Sequence, residues 1–165
     1  MDGMGIGKTA VQLGIDVEAA REVKNAYLAV FPGLKRLTDD LRWRGRLDEP
    51  ILTWGGRVYH VEPPRVGRNQ TRTFEYKLLN VLIQGSAADC TKQALVNYAS
   101  TTKTGQLLLT VHDELMAEVP AGDRVREMKL LREAMNDVKF DVPMLSDGAW
   151  TDKGWAHLKK LPKGE

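Results

Sequence analysis

A single cysteine, Cys90, stands in 165 residues, so no disulfide framework can hold this chain together and a small stapled secreted module is excluded. Long apolar runs are absent too. None approaches the roughly 20 residues of a membrane-spanning helix, and Met1-Asp2-Gly3-Met4 lacks the basic-then-apolar pattern of a signal peptide. A charge surplus is equally missing, since 24 Lys and Arg face 22 Asp and Glu and leave a net charge of +2. With 42% of residues hydrophobic, that balance excludes a disordered chain. The expectation is one soluble domain with no membrane partner, in a reducing compartment. A near-neutral total also lacks the footprint of a nucleic-acid binder. The total is misleading, because the stretch from Arg42 to Lys77 holds eight basic residues (Arg42, Arg44, Arg46, Arg57, Arg65, Arg68, Arg72, Lys77) against four acids (Asp48, Glu49, Glu62, Glu75).

What is present divides into helical and strand-like stretches. Asp16 suits the N-cap of a helix to about Phe31, with Ala20, Val23, Tyr27 and Val30 on one buried stripe. Pro32-Gly33 stops it, and Leu34, Leu37 and Leu41 mark a second, shorter helix that ends in the run Arg42, Arg44, Arg46. Ile51 to Val61 reads as a β-hairpin on Gly55-Gly56, closed by Pro63-Pro64. The stretch 63–72, with Arg65, Arg68 and Arg72, reads as a loop. Thr73 to Ser100 has no proline and reads as a long, largely buried helix. Gln106–Val111 and Glu114–Val119 form two short strands around His112-Asp113, and Asp123 caps a helix to about Val138. A last strand is expected over Val142–Leu145. Helices and antiparallel strands mix without βαβ alternation, so the class is α+β.

Three groups of residues carry candidate chemistry. Gly3-Met4-Gly5-Ile6-Gly7-Lys8-Thr9 looks like a phosphate-binding loop, in which Lys8 and Thr9 would hold phosphate and Mg²⁺. However, Asp2 stands where the first glycine belongs and no strand precedes it. A loop entering a helix is the other reading. The second group is His112-Asp113-Glu114 between two apolar strands. Adjacent carboxylates at a hairpin tip repel one another unless a divalent cation relieves them, and Mg²⁺ takes one or two protein carboxylates with water and substrate phosphates. Asp113 also suits a plain turn residue, with Glu114 a solvated charge. The third group is Asn80, Gln84 and Thr91 near one face of the long helix, beside small Gly85, Ser86, Ala87 and Ala88. Amides there can probe the acceptors that every base pair offers in the minor groove. They can equally hydrogen-bond within the protein.

The combination is more specific than its parts. Asn80-Val81-Leu82-Ile83-Gln84-Gly85-Ser86-Ala87-Ala88-Asp89 and Thr110-Val111-His112-Asp113-Glu114-Leu115 resemble the palm helix and motif C of family A DNA polymerases, the DNA polymerase I family. Phe31-Pro32-Gly33, the Thr53–Arg57 "T-x-x-G-R" stretch, Asp141-Val142-Pro143, Trp155 and His157 resemble further stretches in the same order, and the likeness covers nearly the whole chain. It implies a partial polymerase palm, an antiparallel sheet with long helices, at 51–165, and the end of the fingers helices at 1–50. It implies DNA-directed DNA polymerase activity with primer–template DNA and deoxynucleoside triphosphates as partners. Asp113 and Glu114 would be catalytic and bind metal in a two-Mg²⁺ site. His112 would lie near the primer terminus, and Asn80 and Gln84 in the minor groove, with Arg65, Arg68, Arg72 and Lys77 as further DNA contacts. The family often carries a basic residue four positions before the helix Asn; here that position is Tyr76, which leaves Arg72 or Lys77 to compensate. Motif A, with the second catalytic aspartate, and the nucleotide-binding fingers helix have no counterpart in these residues. The expectation is therefore a chain that needs a partner chain supplying them. The alternatives are a non-catalytic primer–template-binding relic and a P-loop nucleotidase.

Overall fold

The computed structural model describes residues 5–68 and 70–160, and the chain forms two compact units that meet in sequence at Ser86/Ala87. The first begins with α1 (Ile6–Leu13), α2 (Val17–Val30) and α3 (Pro32–Arg46). Asp16 caps α2 as expected, its carboxylate accepting the Ala19 N–H at 2.8 Å and satisfying one free donor of the first turn. Pro32 sits in the first turn of α3, where its missing N–H costs nothing. With 15 residues against 14, α3 is not the shorter helix. The stripe on α2 is only partly covered. Ala20 is fully buried and Tyr27 half-buried, but Val23 and Val30 are exposed, because α1 and α3 cover only part of that face.

The expected hairpin is present as β1 (Ile51–Leu52) and β2 (Val58–Tyr59), with Ile51 opposite Tyr59 and Leu52 opposite Val58. Ile51 packs with Leu41, Leu78 and Leu79 into the core of this unit. The stretch expected as a loop holds a second small hairpin, β3 (Arg65–Val66) with β4 (Thr71–Arg72). Strands of two residues are too short to show an alternating pattern, which is why composition alone reads as loop there. After a 3₁₀ turn over Glu75–Lys77 comes α4 (Leu78–Thr101), the long helix expected, whose 24 residues run from this unit into the next.

The second unit adds β5 (Gln106–Val111), β6 (Glu114–Glu118), α5 (Arg124–Asn136), β7 (Ala149–Trp150) and β8 (Lys159–Lys160). Its core joins Cys90 and Ala94 of α4 to Leu115 of β6 and Val138. Asp123 stands at the N-cap of α5 without a side-chain capping bond, its carboxylate lying 3.3 Å from the Arg126 guanidinium instead. The strand expected over Val142–Leu145 does not form; Pro143 has no N–H to give a ladder, and the pairing lies later, between β7 and β8. All ladders among the described residues are antiparallel pairs, so the class is α+β as read from the sequence.

One buried charge organises the second unit. Glu127 on α5 is 1% exposed. Its Oε2 accepts from Tyr98 Oη at 3.0 Å and Thr102 Oγ1 at 2.6 Å, and its Oε1 from Thr104 Oγ1 and an Arg126 Nη2, both at 3.1 Å. Burial pushes the carboxyl up, but the bonds from Thr102, Tyr98, Arg126 and Thr104 outweigh it and hold the pKa down to about 2. A carboxylate depressed in the folded state stabilises fully above its unfolded value of 4.5, and that stabilisation disappears as pH falls toward 2. Urea unfolding followed between pH 6 and pH 2.5 is expected to show a steeper acid-side loss of stability for the natural chain than for Glu127→Gln. Parallel curves would contradict the ionised assignment.

Candidate functional site

The β5–β6 ladder pairs Val111 directly with Glu114, which leaves His112-Asp113 as a two-residue turn. His112 has φ 54°, a left-handed backbone that a side chain with a Cβ adopts at a cost. His112, Asp113 and Glu114 are all exposed. Among the described residues none of the three side chains takes part in a hydrogen bond or ion pair, so Asp113 is not serving its own turn through its carboxylate. Two adjacent hard oxygen donors with no ion-pair partner among the described residues suit Mg²⁺ chemically, but they are only part of a coordination shell. No group of three His, Cys, Asp or Glu able to hold a metal occurs among the described residues. Among the described residues, the pair Asp113 and Glu114 is therefore too small a donor set to hold a metal ion by itself.

In the first unit, Asn80 and Gln84 point out of α4 one turn apart. Neither side chain is hydrogen-bonded among the described residues, so the internal-bond reading fails for both. Thr91 instead turns back on its own helix, donating to the Ala87 carbonyl at 3.2 Å. Beyond Gln84 the β1–β2 hairpin docks on the helix: Arg57 Nη2 donates to the Gly85 carbonyl at 2.7 Å, and Trp54 N–H to Ser86 Oγ at 3.0 Å. A Cβ on Gly85 would lie 2.7 Å from Thr53 Cγ2, so this approach requires glycine. The small residues after Gln84, read from the sequence as room for a ligand, are therefore partly filled by the protein's own hairpin.

The basic residues of 65–77 gather around one ring. Phe74 is buried, and the guanidinium carbons of Arg65 and Arg72 lie 5.5 and 5.6 Å from its centroid, with Lys77 Nζ at 4.7 Å. Arg65 and Arg72 are also direct cross-strand partners, an arrangement that is destabilising for like charges. Lys77 pairs with Glu62, whereas neither arginine has a carboxylate partner among the described residues. Arg72 also donates to Tyr76 Oη at 3.1 Å, so it reaches the side chain of the position where the sequence lacks a basic residue. Arg68 is exposed on the connection between the two strands. Nearby, the Glu75 carboxyl is held below its ordinary range by the Thr73 hydroxyl and its own backbone N–H, with smaller help from Arg46 and Arg42.

Two other candidates recede. Gly3 and Met4 of the glycine-rich start lie outside the described residues. From Ile6 on, the stretch is the body of α1, with Thr9 buried and its hydroxyl donating to the Gly5 carbonyl at 3.2 Å, which removes it from metal binding. Cys90 is buried, and burial with Asp89 beside it pushes its thiol pKa up, leaving it a core residue without nucleophilic character. Sequence reasoning passed over the organising roles of Phe74, Arg57 and Glu127. Only the glycine in mid-helix at 85 hinted at a close approach.

Comparison with known proteins finds relatives along most of the chain. The family model described as DNA polymerase family A matches residues 1–157. The DNA polymerase I of Chloroflexus aurantiacus is 34% identical over 160 residues, covering 94% of this chain and 17% of that protein. The DNA polymerase I of Mycobacterium bovis is 37% identical over 139 residues, 81% of this chain and 15% of that protein. The DNA polymerase of Mycobacterium phage L5 is 28% identical over 156 residues and is covered to 25%. Among solved structures, the POL domain of Pol1 from M. smegmatis, in complex with DNA primer-template and dNTP, superposes with a TM-score of 0.76 at 32% identity. That match covers 86% of this chain and 26% of the other. The chain therefore spans between 15% and 26% of the length of these relatives.

The strained turn yields a direct test. Glycine at 112 relieves the left-handed backbone, so His112→Gly is expected to leave the chain as stable as the natural one or more stable by about 1 kcal/mol. Thermal melting checks this, and a clear loss of stability would mean that the imidazole makes a contact in solution.

Proposed function

This chain belongs to DNA polymerase family A, and on that premise we propose that it is the C-terminal palm portion of a DNA-directed DNA polymerase, with residues 1–50 closing the fingers and 51–165 forming the palm. It acts in template-directed nucleotidyl transfer together with the upstream polymerase portion that carries motif A and the nucleotide-binding helix. The observation that carries this reading is the hairpin tip, where Asp113 and Glu114 stand adjacent and exposed, their side chains without a hydrogen-bond or ion-pair partner among the described residues. They are the residues that would hold Mg²⁺. When bound, the metal ions supply Lewis-acid activation of a primer 3′-hydroxyl and neutralise charge developing on the α-phosphate.

The chain's own residues do the rest. Asp113 and Glu114 present carboxylate oxygens at a fixed turn, His112 stands beside them facing the primer terminus, and Asn80 and Gln84 contact the minor groove by hydrogen bonds common to all base pairs. Arg65, Arg68, Arg72 and Lys77 contact duplex phosphates. The two arginines opposed across the β3–β4 ladder support this, since a polyanion relieves the repulsion that the free chain bears. The same cluster is the specific ground for a second reading, a non-catalytic chain that binds primer–template DNA.

Primer extension with a chain carrying the upstream polymerase portion separates the two. Asp113→Ala is expected to lower the rate by at least about 10³-fold while duplex affinity is kept; undiminished extension would end the catalytic assignment. Duplex binding measured across KCl concentrations tests the cluster independently. Arg65→Ala and Arg72→Ala are each expected to reduce the slope of log K against log salt by about 0.9, the value of one phosphate contact. An unchanged slope in both would remove this face from the DNA contact.

A further inference from the structure

The position of Asp113 depends on where the β5–β6 hairpin is held, and the two strands are held differently. A two-stranded ladder is marginal by itself, so its place must be set by what anchors each strand. On β6, Leu115 is buried against Cys90, Ala94 and Val138, only two residues after Asp113. On β5 no residue is buried; Leu108 and Leu109 are exposed, and the pairing shifts register between Leu107 and Leu109. Hydrophobic burial therefore does not fix β5.

Its fixed point lies immediately before it. Gly105 precedes the first residue of β5, and its N–H donates to Thr102 Oγ1 at 2.8 Å. That hydroxyl donates in turn to Glu127 Oε2, and Thr104 donates to Oε1, so the 102–105 connection is tied at both ends to one buried carboxylate. The seat is tight: a Cβ on Gly105 would lie 2.0 Å from Tyr98 Oη and 3.0 Å from Glu127 Oε2, so only glycine enters here. Arg126 Nη2 bridges Thr104 Oγ1, at 3.0 Å, and Glu127, closing the network from the solvent side. From this seat a single six-residue strand leads to His112-Asp113.

We propose that Glu127 is a positioning residue for the reaction, seating the 102–105 connection so that β5 delivers Asp113 to a fixed place opposite the Leu115 anchor. The proposal rests on the reading of Asp113 as a metal-holding catalytic carboxylate, and it adds a residue that touches neither substrate nor metal. Glutamine at 127 keeps the shape of the side chain but replaces one acceptor by a donor, so the threonine hydroxyls can no longer all be satisfied.

Amide hydrogen exchange on the full chain tests the seating. Glu127→Gln is expected to speed exchange over Gln106–Val111 by about 10-fold or more relative to the natural chain. Val138→Ala, which loosens the core of the same unit without touching the network, is the control and is expected to raise exchange evenly. Thr104→Val, at an exposed position, is expected to give the same local pattern more weakly, and it decides the matter if Glu127→Gln does not fold. Unchanged exchange over β5, or a rise no greater than in Val138→Ala, would overturn the proposal. In primer extension with the upstream polymerase portion present, Glu127→Gln is expected to lower kcat by about 10-fold with KM for the nucleotide within twofold. Loss through KM alone, or kcat unchanged, would also overturn it. An Asp113→Ala chain that extends primers normally removes the functional reading itself. A dead Asp113→Ala beside an indifferent Glu127→Gln removes only the positioning role.

Discussion

A helix of 24 residues with apolar side chains distributed around it cannot be left facing water, and α4 obliges the rest of the chain to cover it. Its first residues, Leu78 and Leu79, are buried with Leu41 of α3 and Ile51 of β1. Further along, Cys90 and Ala94 are buried with Leu115 of β6 and Val138. Each compact unit thus builds its core on a different stretch of one helix. The exposed positions left over are what the covering elements fail to reach, and Asn80 and Gln84 are among them. The burial that makes the fold also delimits the surface on which an amide pair can meet a ligand.

How much of this was legible in the sequence follows the range of the interactions. Local signals held. Asp16 capped its helix, the glycine turn joined β1 to β2, and two apolar strands flanked His112-Asp113, because caps, turns and alternation act over a few residues. The failures have physical causes of other kinds. The β3–β4 hairpin was hidden because its strands have two residues each, and the apolar run at Val142–Leu145 contains a proline that cannot donate to a ladder. Glu127 was invisible for a stronger reason. On a helix whose neighbours are Arg124, Arg126, Lys129 and Arg132, one more charged residue reads as solvated surface. Only the fold brings Tyr98, Thr102 and Thr104 to it from 23 to 29 positions away.

The site residues show the same division. The adjacency of Asp113 and Glu114 is a property of the chain, so their proximity needed no structure. What the structure added is that their side chains have no partner among the described residues and that the backbone at His112 is held in a sparsely populated conformation of the kind that clusters at functional turns. The grouping of Arg65, Arg72 and Lys77 around Phe74 was not readable from spacing, because a hairpin and a 3₁₀ turn intervene. Nor was the occupation of the Gly85–Ser86 shelf by the protein's own hairpin, which leaves Gln84 rather than its small neighbours as the group facing outward.

Two sets of charges in this chain stand in contrast, and the contrast bears on function. Glu127 is taken out of water and surrounded by four donors, the only way a buried carboxylate is tolerated, and everything it can bind is already bound. Asp113 beside Glu114, and Arg65 opposite Arg72, are the opposite case: like charges kept close together, exposed, with no counter-charge from the described residues. Such pairs cost folding free energy through repulsion; the two carboxylates recover none of it through bonds among the described residues, and the two arginines recover part through Phe74 and Tyr76, with no carboxylate to neutralise them. A cation at the first pair and a polyanion at the second each lower that cost, and a reaction that joins a primer strand to a nucleotide through metal ions brings both. On the proposed reading, the stability that the exposed pairs forgo is recovered when DNA and metal bind, while the satisfied carboxylate seats the strand that leads to Asp113.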